Sequence, residues 1–99
     1  MPVKGVRNIS IQELKKEMKS KDKQFIDVRT PGEYNQYHIP GFKNIPLHAL
    51  GKHAGRLSRD KAVIVICQSG MRSKKASKIL IKMGFKHVTN VKGGVSAWR

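Results

Sequence analysis

The chain has 99 residues, and 38% of them are hydrophobic, which suits one small domain with a single core. Lysine and arginine number 21 against 6 aspartate and glutamate residues, so the formal net charge is +15. The one cysteine excludes an internal disulfide and fits a reducing compartment or a reactive thiol. We expect a single domain over residues 1–99, with its core in about residues 9–98.

The basic charge favours the binding of polyanions or the attraction of small anionic substrates. The lysines are spread over several predicted elements and lack interleaved aromatic residues, so RNA is an open but less favoured partner. No apolar leader follows Met1, and the longest apolar run, residues 62–67, is far shorter than the ~20 residues of a membrane span. We expect a cytoplasmic monomer without a membrane span.

The amino-terminal part of the chain predicts a strand, a helix and a second strand. Residues 6–9 predict a short edge strand. Ser10 and Glu13 then form a capping box, which starts a helix over residues 11–19. Residues 24–28 predict the second strand.

The middle of the chain predicts shorter elements. Thr30 and Glu33 form a second capping box, and the helix that it starts ends before the His-Ile-Pro-Gly segment at 38–41. Residues 44–45 predict a brief strand. Residues 47–57 have partial helical periodicity, which two glycines weaken.

The carboxyl-terminal part begins with residues 62–66, an apolar run that predicts a strand buried on both faces. Residues 74–83 predict an amphipathic helix that Gly84 ends, residues 87–91 a last strand, and residues 95–99 a final helical turn. The alternation of strands and helices indicates an α/β domain with a largely parallel sheet.

The segment after the buried strand is the main candidate for chemistry. Cys67 ends the strand, and a loop containing Gly70 leads into the helix. Backbone N–H groups and the positive helix end converge there and favour an anion or a thiolate. The alternative is an inert buried thiol. A reactive site requires loop donors that point at the thiol and a thiol that is open to solvent.

The energy needed to activate the thiol is within reach of the loop. Lowering a thiol pKa by two units requires about 2.7 kcal/mol. A helix end supplies up to ~2 kcal/mol, and each N–H bond to the charged sulfur adds ~1.5–3 kcal/mol. The mechanism therefore does not require a histidine base.

Two arginines are candidates for binding an anionic substrate. Arg72 carries hydrogen-bond donors suited to binding an oxyanion. The alternative is that Arg72 is a surface arginine of the first helical turn and does not contact the substrate. Arg29 adds a second positive group if the sheet places it at the same rim; otherwise it ties the strand ends together with Asp27. We interpret Asp27 as structural, Glu33 as only a cap, and His38 as fixing the loop before Ile39-Pro40. The histidines and the cysteine show no metal-ligand spacing, so we expect no metal.

A series of short motifs resembles the rhodanese family, in order and spacing from about Ile9 to Trp98. The motifs are Asp27-Val28-Arg29, Glu33-Tyr34, His38-Ile39-Pro40-Gly41, Asn44-Ile45-Pro46, Cys67-Gln68-Ser69-Gly70-Met71-Arg72-Ser73 and Gly93-Gly94 through Trp98.

The resemblance implies a rhodanese-like domain with a central, mostly parallel five-stranded sheet flanked by helices on both faces. It implies a thiosulfate sulfurtransferase without a cofactor, in which Cys67 carries sulfur as a persulfide and passes it to cyanide, a thiol or a protein cysteine. Ser73 would support the site, as would Asp27. The outer sulfur would be held by the loop from Gln68 through Ser69, Gly70 and Met71 to Arg72.

Three other functions stay open. The domain could be a persulfide carrier that delivers sulfur to a protein or to a tRNA-thiolation partner. It could be a phosphatase or an arsenate reductase, but Cys67 and Arg72 enclose four residues, and cysteine phosphatases resemble one another in enclosing five. The shorter loop suits one sulfur better than a phosphate. The third is RNA binding by the basic surface.

Overall fold

The computed structural model describes residues 4–98. Five parallel strands form one sheet in the order β1-β5-β4-β2-β3, which confirms the expected sheet. Their bounds lie within a residue or so of those predicted from the sequence. The strands are β1 (Val6–Ile9), β2 (Gln24–Asp27), β3 (Lys43–Asn44), β4 (Val63–Ile66) and β5 (Val88–Val91).

Four α-helices connect the strands, and both predicted capping boxes are formed. The helices are α1 (Ile11–Glu17), α2 (Pro31–Gln36), α3 (Leu50–His53) and α4 (Met71–Lys82), and short 3-10 turns cover Leu47–Ala49, Ala54–Arg56 and Val95–Ala97.

Three helix predictions differ from the structure. The first helix ends at Glu17 rather than residue 19, and the periodic stretch 47–57 is broken into separate short turns. Helix α4 begins at Met71, three residues before the predicted start, because Gly70 takes a left-handed conformation and the helix begins directly after it. The predicted final turn includes Arg99, which lies outside the described residues.

The core lies on both faces of the sheet, as the apolar β4 predicts. Val63 and Val65 pack with α3 and α4 on one face, whereas Ile64 and Ile66 pack with α1 on the other. All four residues of β4 are buried. The strand therefore carries Cys67 to the carboxyl edge of the sheet from a rigid, fully covered position. Among residues 4–98, no helix combines the length and apolarity needed to cross a lipid bilayer.

A glycine turn after β5 positions the backbone that follows β4. The N–H of Val95 donates to the carbonyl of Cys67 at 2.8 Å, and the N–H of Ser96 donates to the carbonyl of Gln68 at 3.0 Å. Gly94 has φ 61°, and a Cβ at this position would lie 2.3 Å from the carbonyl oxygen of Cys67. Only a glycine lets the two segments approach this closely.

We predict that Gly94→Ala lowers the free energy of unfolding by about 2 kcal/mol or more, since the methyl group overlaps backbone and the φ angle is strained. Gly51→Ala is the control, because a Cβ there meets nothing within 4 Å and α3 is a helix. The control should be neutral or stabilising by about 0.5–1 kcal/mol. Urea unfolding measures both. Equal stability of the two variants would contradict the packing described.

Candidate active site

The thiol of Cys67 belongs to a closed ring of hydrogen bonds. The N–H of Gly70 donates to Sγ at 3.0 Å, and the thiol of Cys67 donates to Oγ of Ser73 at 3.4 Å. The hydroxyl of Ser73 donates in turn to the carbonyl of Gly70 at 3.1 Å. One of the loop amides therefore points at the sulfur, at the amino-terminal end of α4.

The expectation of an open thiol is wrong for this structure. Cys67 is 1% exposed, and Ser73 is fully buried beside it. Gln68 and Ser69 are exposed, and Met71 is 75% exposed, so the loop meets solvent through its other side chains. A reactant gains access to the sulfur only when part of this loop or its rim moves.

Arg29 forms a buried ion pair with Asp27. Its Nε lies 3.0 and 3.1 Å from the two carboxylate oxygens, and its Nη2 lies 2.8 Å from Oδ2. Arg29 is 2% exposed and also donates from Nη2 to the carbonyl of Tyr37. Arg29 therefore links the end of β2 to the segment after α2. One contact reaches the candidate loop, because Nη1 donates to Oε1 of Gln68 at 3.3 Å.

Arg72 is held by a carboxylate that the sequence analysis interpreted as only a cap. Nη1 and Nη2 of Arg72 donate to the two oxygens of Glu33 at 2.6 and 2.9 Å. Glu33 also accepts from the N–H of Thr30, so it caps α2 and binds Arg72 at once. Each side chain of the pair is about a third exposed, at 35% and 34%.

The ion pair shifts both ionisation equilibria. The two hydrogen bonds from Arg72, aided by those from Thr30, lower the pKa of Glu33 from 4.5 to about 2, against a smaller opposing effect of burial. The hydrogen bond to Glu33 raises the pKa of Arg72, and the charge of Cys67 contributes in the same direction. Arg72 is therefore always a cation near the sulfur, with its charge offset by Glu33.

His38 lies outside the site. Its Nδ1 is 2.9 Å from the carbonyl of Tyr34, and its ring stacks on the Tyr34 ring with centroids 3.8 Å apart. These contacts fix the loop after α2, as expected. Within residues 4–98, no three His, Cys, Asp or Glu side chains are grouped so that they could hold a metal ion.

The arrangement can stabilise negative charge on sulfur. Gly70 supplies an N–H donor, α4 supplies the positive end of a twelve-residue helix, and Arg72 supplies a nearby cation. In sequence, residues 10–99 match the family model of the rhodanese-like domain.

The chain belongs to the rhodanese-like domain family. Its fold is similar to the crystal structure of a rhodanese-like domain protein from Staphylococcus aureus, with a TM-score of 0.86 and 32% identity, covering 94% of this chain and 91% of that one.

Two relatives carry functional names. The thiosulfate sulfurtransferase GlpE of Shewanella oneidensis is 30% identical over 92 residues, which are 93% of this chain and 91% of GlpE. The putative sulfur carrier protein YrkF of Bacillus subtilis is 37% identical over 95 residues, which are 95% of this chain. This rhodanese domain spans about half the length of YrkF, 51%.

We predict that Glu33→Gln destabilises the rhodanese domain in a pH-dependent way. Since the pKa of Glu33 falls from 4.5 to about 2 on folding, its contribution is complete above about pH 4.5 and is lost as the pH falls towards about 2. The loss at pH 6 should be roughly 0.2–1 kcal/mol, because solvent screens a pair that is a third exposed.

Urea unfolding of wild type and Glu33→Gln between pH 6 and pH 3 measures this difference. Asp60→Asn is the control, since it removes one carboxylate from the highly exposed pair with Lys86. Its difference from wild type should be smaller at pH 6. A Glu33→Gln difference that is unchanged or larger at pH 3 would contradict the assigned pairing.

Proposed function

We propose that this rhodanese domain is a sulfurtransferase that moves sulfane sulfur from an anionic donor such as thiosulfate to a thiophilic acceptor. A persulfide on Cys67 is the intermediate. The observation that carries the proposal is the N–H of Gly70 donating to Sγ at the start of α4, within a loop of four residues between Cys67 and Arg72. The similarity to the thiosulfate sulfurtransferase GlpE and to the putative sulfur carrier protein YrkF supports the same class of chemistry.

The reaction is a double displacement. The Cys67 thiol first loses its proton to solvent, and the thiolate attacks the outer sulfur of thiosulfate. A new S–S bond forms, and the old one breaks with its electron pair leaving on sulfite. An acceptor such as cyanide then attacks the outer sulfur of Cys67-S-S⁻, which yields thiocyanate and restores the thiolate.

The ring of hydrogen bonds adapts to each state of the sulfur. The neutral thiol donates to Oγ of Ser73, whereas the thiolate needs donors in its place. The hydroxyl of Ser73 can rotate from the carbonyl of Gly70 to the charged sulfur, because a hydroxyl both donates and accepts. The N–H groups of Gln68, Ser69, Met71 and Arg72 are proposed to hold the outer sulfur together with that of Gly70.

The two arginines have different proposed roles. Arg72 binds the anionic donor at the rim, for which it must exchange one of its bonds to Glu33 for a bond to the substrate. Arg29 is proposed to act as a positioning residue, since it is buried on Asp27 and reaches the loop through Gln68.

A persulfide carrier is the second candidate function. It is favoured by the buried thiol and by the pairing of Arg72, both of which slow the turnover of free thiosulfate. In this case the partner would bring its own thiol to the loop. Enzyme and carrier differ in the rate of cyanide-dependent turnover by the isolated domain, not in loading of Cys67.

We predict that thiosulfate treatment adds one sulfur to the wild-type chain and that cyanide removes it. Cys67→Ser should gain no sulfur and lose all turnover, because the hydroxyl is a far weaker nucleophile than the thiolate. Intact-mass spectrometry measures loading and unloading separately. Turnover by the serine variant would contradict the scheme.

Arg72→Gln is the matched variant for that experiment, since it keeps Cys67. It should still acquire one sulfur, but with kcat/KM for thiosulfate lowered roughly 10- to 100-fold, the value of one charge-assisted hydrogen bond. Unchanged kcat/KM would exclude Arg72 from donor binding.

A further inference from the structure

An apolar side chain lies exposed beside the buried thiol. Met71 is 75% exposed, and among residues 4–98 it is the one large hydrophobic side chain that lies mostly in solvent. It begins α4 and directly follows Gly70, whose N–H contacts the sulfur of Cys67. Methionine adapts to varied apolar partners, so its place at the mouth of the site suits a contact with another molecule.

Lysines surround Met71 on the same side of the domain. Lys74, Lys78 and Lys82 are exposed on α4 and recur at every fourth residue, so they form one stripe. Lys92 follows β5, and it lines a cleft of about 190 Å³ together with Met71 and Lys74. We call Met71, Lys74, Lys78 and Lys92 the α4 docking surface.

The acidic residues of the described chain are engaged elsewhere. None of the α4 docking surface lysines forms an ion pair with another residue in the range 4–98, although the hydrogen bonds from Ser10 and, to a smaller extent, the charge of Lys92 lower the pKa of Glu13. Five of the carboxylates have hydrogen-bond or ion-pair partners outside the α4 docking surface. Glu13 caps α1, and the ion pairs are Glu17 with Arg7 and Lys23, Asp27 with Arg29, Glu33 with Arg72, and Asp60 with Lys86.

The lysines of the stripe therefore repel one another in the free domain. Like charges four residues apart on a helix are mutually destabilising. An acidic surface placed against α4 would remove this repulsion and gain attraction. The charge pattern thus favours a polyanion as the partner, and the exposed Met71 favours a polyanion that also carries apolar side chains.

We propose that the α4 docking surface binds an acidic protein that carries the thiol accepting sulfur from Cys67. This inference rests on the proposed function, whose acceptor it specifies. A protein fits better than RNA because Met71 is apolar and the surface has no aromatic side chain for base stacking. A thiol at a chain end or loop tip also suits a sulfur that is 1% exposed.

The binding test needs no sulfur chemistry. The probe is a short fluorescein-labelled peptide of aspartate and glutamate with one leucine and no cysteine, titrated by fluorescence anisotropy at low salt. The test variant combines Lys74→Gln, Lys78→Gln and Lys92→Gln. The control combines Lys16→Gln, Lys19→Gln and Lys21→Gln, in and after α1, which packs on the other face of the sheet.

Each triple variant lowers the net charge by three, from +15 to +12, so only the location of the charge differs. The test variant should bind the peptide roughly five- to tenfold more weakly than wild type, and the control variant less than about twofold more weakly. Equal losses in the two variants would show that net charge alone attracts the peptide, and the inference would be wrong.

Met71 is tested by a double-mutant cycle. Met71→Gln should weaken binding of the leucine peptide more than that of a peptide with serine in place of leucine, because only the former buries apolar area on Met71. Equal weakening with the two peptides would show that Met71 makes no apolar contact with the bound peptide.

A single-stranded oligouridine is titrated in parallel. If the lysine test variant loses oligouridine binding and keeps peptide binding, the surface binds RNA and the inference fails.

Sulfur transfer is measured separately by intact mass. After thiosulfate loading, a cysteine version of the acidic peptide should take the outer sulfur faster than a neutral cysteine peptide. If Cys67 gains sulfur but the two triple lysine variants bind the peptide equally, only the docking surface is contradicted. If the test variant alone loses peptide binding but Cys67 gains no sulfur, the proposed sulfurtransferase and the acceptor role are contradicted. The peptide-binding surface itself is then still supported.

Discussion

The hydrogen bond from Gly70 to the sulfur of Cys67 depends on two glycines and one buried strand. Strand β4 is covered on both faces, so its carboxyl end is rigid where it presents Cys67. Gly70, at φ 110°, turns the loop so that its N–H faces the sulfur, and α4 begins directly after it. Gly94 lets the turn after β5 pack on the loop carbonyls. The Gly70 donor is therefore held by the backbone in contact with the sulfur before negative charge develops there.

Charge is distributed unequally around that loop. The guanidinium of Arg29 is buried against Asp27, and that of Arg72 is paired with Glu33 and about a third exposed. The lysines of the α4 docking surface have no carboxylate partner in the described part of the chain. Fixed pairs thus order the site, while unpaired cations lie where a partner would approach. In the proposed function, a protein acceptor and a small anionic donor would bind to different cations.

The sequence was informative where the pattern was local. Both capping boxes, the apolar β4 and the Cys67 loop were predicted, because spacing over a few residues determines them. The Glu33–Arg72 pair was missed because its members are 39 residues apart and meet only through the sheet order. A buried thiol was the alternative open from the sequence, and Cys67 is indeed buried. The local signal for the Glu33–Arg72 pair was that Glu33 caps α2 with one carboxylate oxygen, Oε1, so that Oε2 is left for another donor.

The position of the persulfide is tested most directly by a crystal structure of the thiosulfate-treated protein. The proposed mechanism requires an additional sulfur on Cys67, within about 3.5 Å of the N–H of Gly70 or of its neighbours in the loop through Arg72. An additional sulfur that points away from these donors would contradict the proposed mechanism. So would a treated protein in which sulfur is attached elsewhere and Cys67 is unchanged.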